Sequence, residues 1–219
     1  MKTITKEIAH NKKVLLRLDL DVPIDNNGTV TDMTRLESAL PTLQLLQNTA
    51  SQIIIIGHLG RPEGKVVSAL SLAPVAKELE KILGSTVRFI PSLSHESYPP
   101  DSILMLENLR FDPQEEINTL DFAKQLATLA EIFVFEAFAV SHRSAASTVG
   151  IATLLPSYGG LRTFQEVEQL SAVLHNPTHP FLVILGGAKI ETKLPMIQTM
   201  QSLADTIFVG GKLAGEIKQ

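Results

Sequence analysis

The stretch "HLGRPEGK", residues 58–65, places a histidine, an arginine, a lysine, two glycines and a proline at the end of the apolar run "SQIIIIG". Arginine at such a place suits an anion, because its planar fork binds phosphate or carboxylate through two parallel hydrogen bonds and keeps its charge at working pH. The pattern recurs. "RLDLDVP" brings Arg17, Asp19 and Asp21, "ENLRF" brings Arg110, "EAFAVSHR" brings His142 and Arg143, and Arg35 in "DMTR" opens the first long helix. Five arginines and two histidines, His58 and His142, thus come from five separate places in a chain whose formal net charge is -4. The site they imply is local and fits a small, heavily anionic, non-planar ligand, with Asp19 and Asp21 free to accept hydrogen bonds from its hydroxyls: a phosphorylated hydroxy-acid. Singly, each residue is ordinary. A lone arginine or histidine after a strand is usually a solvated loop residue, and either aspartate could be a turn former near Pro23. The weight lies in the recurrence at one end of several strands.

The elements that must position these residues are readable from periodicity. Short apolar runs alternate with longer stretches of helical period, the rhythm of βαβ units on a parallel sheet. Strands are expected near residues 14–18, 52–56, 87–90, 103–106, 132–135, 181–185 and 206–209. Helices are expected in "TRLESALPTLQLLQ", in "SLAPVAKELEKILG" with Ser71 as cap and Gly84 as stop, in "DFAKQLATLA" and in "STVGIATLL" with Ser147 as cap. In an open parallel sheet the segments beyond the carboxyl ends of the strands line one rim, where such folds bind ligands. The expected fold is therefore α/β, a Rossmann-like parallel sheet with helices on both faces, followed by an incomplete second α/β lobe. The organisation changes after Pro156: "SYGGLR" is turn-rich, "TFQEVEQLSAVLH" reads as one polar-faced helix, and "NPTHP" breaks it. The expected boundaries are a first lobe over 1–160, a connecting helix and linker over 161–178, and the first βαβ of a second lobe over 179–219.

Composition excludes several classes. The chain of 219 residues has no cysteine, which removes disulfides and thiolate chemistry. Its apolar runs are too short to span a bilayer, and the N-terminus lacks the apolar core of a leader, so a cytoplasmic protein without membrane contact is expected. Mild acidity and scattered aromatic residues speak against a nucleic-acid surface. "FVGGKLAG" lacks the outer residues of a phosphate loop, no G-x-G-x-x-G follows the first strand, and the six histidines have no metal-ligand spacing. "GGAKIETK", residues 186–193, leaves two readings open: Lys189 and Lys193 meeting phosphates at a helix start, or one wet helix face.

Taken in order, "RLDLDVP", "TRLESALPTL", "GHLGRPEGK", "SLAPVAKELEKILG", "LENLRF", "EAFAVSHRSAAST", "LGGAKIETK" and "FVGG" resemble phosphoglycerate kinase, from about residue 10 to residue 211. The resemblance implies a two-lobed, Rossmann-like kinase that transfers a phosphoryl group reversibly between 1,3-bisphosphoglycerate and ADP, giving 3-phosphoglycerate and ATP, with Mg2+. By matching motif it implies that Asp19 and Asp21 meet the glycerate moiety. Arg61, Arg110 and Arg143, with His58, would bind the carboxylate and the non-transferred phosphate. Arg35 and Lys193 would be the catalytic residues, Arg35 on the transferring phosphoryl group and Lys193, with Lys189, on the nucleotide phosphates; no protein ligand to the metal is assigned.

There are departures from the family pattern. Asp21 stands for an asparagine and adds negative charge beside an anionic ligand. Glu136 stands for aspartate, Ala139 for glycine, Val140 for threonine and Ala145 for a histidine, and Glu191 and Thr192 for the usual serine and aspartate. The family also continues well beyond Gln219. The intact enzyme is expected to be monomeric, and the 219-residue chain alone to be inactive as a kinase. The alternative is a stand-alone phosphoglycerate-binding or oligomerising module, self-associating through residues 180–219.

Overall fold

The computed structural model describes residues 2–25, 27–92, 102–187 and 193–217. The expected strands β1 (Lys13–Leu18), β2 (Gln52–Ile56), β3 (Val87–Ile90), β4 (Ile103–Leu106) and β5 (Ile132–Glu136) are joined by β6 (Ser157–Gly159) in one six-stranded sheet of order β3-β4-β2-β1-β5-β6. Every neighbouring pair is parallel. The run "SYG", read as a turn, is the strand β6: two of its three residues are serine and glycine, so it carries no apolar signal, and pairing with β5, with a bridge from Gly159 to Thr3 on its other side, defines it.

Strand alternation sends residues to two helix-covered faces, as an all-parallel sheet requires. Val14, Leu16 and Leu18 of β1 join Ile53, Ile55, Ile103, Met105, Ile132 and Val134 on one face. This face is covered by α1 (Lys6–Ala9), α2 (Thr34–Ser38), α3 (Leu40–Gln47) and α4 (Ala73–Leu83), through Ala9, Leu36, Leu43, Leu46, Val75 and Leu79. Leu15, Ile54, Ile56, Leu104 and Phe133 point to the other face. The short α5 (Pro113–Glu116) leads into α6 (Leu120–Ala127), which supplies Phe122, Ala123 and Leu126 there; Ala146 and Ile151 complete the cover.

Four local expectations are corrected. The first long helix is two, α2 and α3, divided at Ala39, where Pro41 in the first turn of α3 cannot continue a hydrogen-bond ladder from α2. "STVGIATLL" is not an α-helix but a π-helical turn over Ala146–Gly150 followed by a 3-10 turn over Ile151–Thr153. Its Ser147 is not a cap: it is fully buried, and its hydroxyl is committed to Glu115 and Arg17. At α4 the N-cap is Leu72, one residue after the expected Ser71, whose hydroxyl accepts the Ala73 N–H at 3.2 Å, and left-handed Gly84 ends the helix as expected.

The chain divides into two compact units, Met1–Glu166 and Val167–Gln219, the division falling within α7 (Leu161–His175). In the second, β7 (Leu182–Leu185) and β8 (Thr206–Val209) form a two-stranded parallel sheet accompanied by α8 (Leu194–Gln201) and α9 (Lys212–Ile217). Leu185, Ile197 and Leu213 are its buried core, with Val183, Ile207 and Val209 packed against them. The alternate residues Leu182, Ile184 and Phe208 are exposed at 54%, 70% and 59%, so this parallel sheet has one bare apolar face among the described residues.

Candidate functional site

β1 is central, with β2 on one side and β5 on the other, so the winding of the chain reverses beside it. The crevice beyond the strand ends at such a reversal is where open α/β sheets bind ligands. Asp19 and Asp21 follow β1, His58 and Arg61 follow β2, Arg110 follows β4, Arg143 follows β5 and Arg35 lies in the first turn of α2.

The loops that carry these residues are laced together. Buried Asn108 donates from Nδ2 to the carbonyls of Leu59 and Leu70 at 2.8 and 2.9 Å, and its Oδ1 accepts the Arg110 N–H at 3.1 Å. Arg110 donates from Nη1 to the Gly60 carbonyl at 2.8 Å and pairs through Nε with Glu116 at 3.1 Å. Asp21 Oδ1 accepts the Gly60 N–H at 2.8 Å. Gly60 itself has φ +62°, and a Cβ there would lie 2.8 Å from Leu70 Cδ2, so any side chain at this turn would be strained and would displace Leu70. Asp21 therefore uses one oxygen to hold the loop after β2, a bond that an asparagine oxygen could equally make. Its added charge is spent partly on that N–H and does not face a ligand alone.

Arg35 Nη1 meets Asp19 Oδ2 at 2.5 Å, and this hydrogen bond raises the Arg35 pKa above its ordinary value. Arg61, His142 and Arg143 are exposed, and their side chains have no hydrogen-bond or ion-pair partner among the described residues. The rim thus combines cations locked in place, Arg110 and Arg35, with cations available for a ligand, Arg61 and Arg143.

Two of the expected rim cations lie deeper. Arg17 is 2% exposed and His58 3%. Position 17 shares the face of Leu15, where the turn at 146–150 covers it, so alternation carries Arg17 under the rim and not onto it. Its Nε donates to Ser147 Oγ at 3.0 Å, its Nη1 to the Leu18 carbonyl, and its Nη2 to His58 Nδ1 at 2.9 Å. Burial pushes the Arg17 pKa down to about 10, with Glu115 opposing, so the guanidinium stays charged at neutral pH. Burial and the neighbouring Arg17 push His58 down to about 3, so the imidazole is neutral. Glu115, raised by burial and held down by Ser147 and Arg17, closes the buried group.

Sequence reasoning missed Glu115, Asn108 and the role of Ser147. Glu115 in "PQEE" looks like any exposed helix carboxylate, and only the fold buries it. Lys193 is half-buried at the start of α8, and a Cβ at Gly187 would lie 3.6 Å from its Cε, so the glycine pair after β7 runs beside this lysine. Lys189, Glu191 and Thr192 lie outside the described residues.

Fold and rim together define an α/β protein with Arg61, Arg110 and Arg143 beyond three strand ends of one parallel sheet and Arg35 at the start of a helix. The family model described as Phosphoglycerate kinase matches residues 4–218. The phosphoglycerate kinase of Moorella thermoacetica is 43% identical over 212 residues, covering 94% of this chain and 54% of that protein. That of Fervidobacterium nodosum is 41% identical over 218 residues, covering 96% and 54%. Among solved structures, the Coxiella burnetii phosphoglycerate kinase superposes with a TM-score of 0.84 at 40% identity over 93% of this chain and 52% of that one. The Pyrococcus horikoshii enzyme gives 0.84 at 28% identity, covering 98% and 56%. The chain belongs to the phosphoglycerate kinase family. It spans about half the length of the curated relatives it matches. No helix among its described residues is long and apolar enough to cross a membrane.

Proposed function

We propose that the protein serves reversible phosphoryl transfer between 1,3-bisphosphoglycerate and ADP, giving 3-phosphoglycerate and ATP, and that residues 1–160 hold the phosphoglycerate. The observation that carries this reading is the set of arginines at the strand ends, with Arg61 and Arg143 exposed and without a partner among the described residues, together with the fixed Arg35 and Arg110. Arg61, Arg110 and Arg143, with His58, receive the carboxylate and the non-transferred phosphate. Asp19 and Asp21 accept from the glycerate hydroxyl, and Arg35 faces the phosphoryl group in flight.

The chemistry needs little else. A terminal oxygen of the ADP β-phosphate attacks the acyl phosphorus, the bond from phosphorus to the carboxyl oxygen breaks, and the carboxylate leaves with the electron pair. No proton moves, so no general base is required. The protein aligns the two oxygens and spreads charge over its cations. In the second unit, Lys193 beside the Gly186–Gly187 pair is the described part that fits a nucleotide phosphate, with Lys189 as its proposed companion. Magnesium would arrive with the nucleotide and neutralise its phosphates.

Calorimetric titration of the 219-residue chain tests the reading. Saturable heat with 3-phosphoglycerate, abolished in an Arg61→Ala, Arg143→Ala double variant, is the expected result. A folded chain that gives none removes the site. The same chain is expected to yield no ATP from 1,3-bisphosphoglycerate and ADP on its own, read in a coupled assay free of host enzyme.

The bare face of Leu182, Ile184 and Phe208 favours a second reading, a binding module that self-associates through residues 180–219. Sedimentation velocity decides it: a single monomeric species at every concentration sinks that reading.

A further inference from the structure

The buried group beneath the rim does more than fill space. Arginine is a donor only, so the nitrogen that Arg17 Nη2 reaches at 2.9 Å, His58 Nδ1, must be the unprotonated one. A protonated Nδ1 would put two N–H groups head to head in a buried site. The remaining ring proton then sits on Nε2, the nitrogen on the side of Asp21, whose Oδ2 lies 4.0 Å away. We propose that Arg17 is a positioning residue that fixes His58 as a neutral imidazole with its proton on Nε2, so that the rim offers its ligand a constant hydrogen-bond donor there and not a titrating charge. The ligand half of this statement rests on the phosphoglycerate reading. The tautomer half stands on the structure alone.

Arg17 can hold this orientation because two further contacts hold it in turn. Nε donates to Ser147 Oγ and Nη1 to the Leu18 carbonyl. The Ser147 hydroxyl, accepting from Arg17, donates its own proton to Glu115 Oε1 at 2.5 Å, and the Ser147 N–H donates to Oε2 at 3.0 Å. Glu115 from α5, Ser147 from the turn after β5, Arg17 from β1 and His58 from the loop after β2 thus form one relay of fixed donors and acceptors. Most of the charged groups acting on His58 push the same way. Arg17, Arg110 and Arg35 all oppose a proton on the ring, Asp21 alone favours one, and burial sides with the arginines. Asp19 and Glu115 act on Arg17 and support its charge. A buried histidine under three arginines would otherwise be an odd choice for binding an anion; as a locked neutral donor it adds direction to a site that already has charge.

Nitrogen-15 NMR of the histidine rings reads the tautomer directly in the ligand-free 219-residue chain, with the His58 signals assigned by their loss in His58→Gln. The expected spectrum shows Nε2 protonated and Nδ1 bare at every pH from about 5 to 8. A His58 that titrates inside that window, or that carries its proton on Nδ1, overturns the proposal. In an Arg17→Met, Glu115→Gln variant, which removes both buried charges together and so leaves neither uncompensated, His58 is expected to begin titrating within that window. A folded double variant, recognised by unchanged far-ultraviolet circular dichroism, whose His58 keeps the same single tautomer without titrating would show that burial and the outer arginines suffice and would remove Arg17 from the role. Should the double variant not fold, Ser147→Ala gives the decision: loosening Arg17 at Nε is expected to produce a mixture of His58 tautomers, and one unchanged tautomer counts against the proposal. Since none of these spectra involves a ligand, failure of 3-phosphoglycerate to bind would strike the functional reading and leave the tautomer result intact.

Discussion

The two units are written in the same βαβ rhythm, yet they differ in what the rhythm achieves. In residues 1–166 every central strand is buried on both faces, and the loops at the strand ends are tied to one another by Asn108, Arg110 and Asp21. In residues 167–219 the same kind of strand has a three-residue core on one side and a bare row of Leu182, Ile184 and Phe208 on the other. Apolar strand residues supply stability only where a second layer covers them, and a rim of cations can be held in place only by strands so covered. In the first unit the strand ends carry the residues proposed for phosphoglycerate; in the second, Lys193 stands beside Gly186–Gly187.

Core truncation should break the comparison most visibly. Leu16→Ala or Phe133→Ala, both at fully buried positions, is expected to cost about 2–5 kcal/mol in urea unfolding of the first unit. Ile184→Ala, on the bare face, should stay within about 0.5 kcal/mol. Equal costs would mean that the face of β7 and β8 is covered in solution.

A smaller effect is expected where the first unit ends. Buried Glu136 accepts the Thr42 hydroxyl at 2.8 Å and the N–H groups of Arg162 and Thr163 at 2.8 and 3.0 Å, so it caps the first turn of α7. A Cβ at position 160 would fall 2.0 Å from its Oε2, so the longer carboxylate that replaces the family's aspartate depends on Gly160. Glu136→Ala should cost about 1–3 kcal/mol, with the loss of α7 protection seen in amide exchange. Unchanged exchange at Arg162 and Thr163 would contradict the capping role.

Acid should weaken the first unit through His58. Its pKa falls from 6.5 to about 3 on folding, so between these values the unfolded chain binds the extra proton and stability declines as pH falls. From pH 6.5 to 5 the expected loss is about 1–2 kcal/mol, and His58→Gln should flatten that limb. Glu115, raised on folding, acts in the opposite sense above its ordinary pKa, since there the folded state binds the extra proton and loses stability as pH rises. A limb unaltered by His58→Gln would show that the ring is not held neutral.

The sheet itself was legible in the sequence because its strands are short apolar runs bounded by turns: β2, β3, β4 and β8 begin and end where the pattern places them. β6 was not, since Ser157 and Gly159 take their strand conformation from pairing with β5. The rim was legible from strand ends alone, but its depth was not. Arg17 and Arg61 look equivalent in sequence, each a cation at or just after an apolar run, and the structure buries the first under the turn at 146–150 while leaving the second exposed. Which face a residue joins follows from alternation; what covers that face depends on residues more than a hundred positions away, here Ser147, and no local pattern carries it.

The smallest expected change in stability accompanies the largest in binding. Arg61→Ala and Arg143→Ala, each removing an exposed side chain without a partner among the described residues, should leave the thermal midpoint within about 2 °C and weaken 3-phosphoglycerate binding about tenfold each. A lowered midpoint would make these arginines part of the scaffold.

The most direct test of where the ligand sits is an amide chemical-shift map of the 219-residue chain on titration with 3-phosphoglycerate. Shifts are expected at Asp19 to Asp21, His58 to Arg61, Arg110 and Arg143, with the second unit unmoved. Shifts clustered away from these strand ends, or confined to residues 167–219, would contradict this placement.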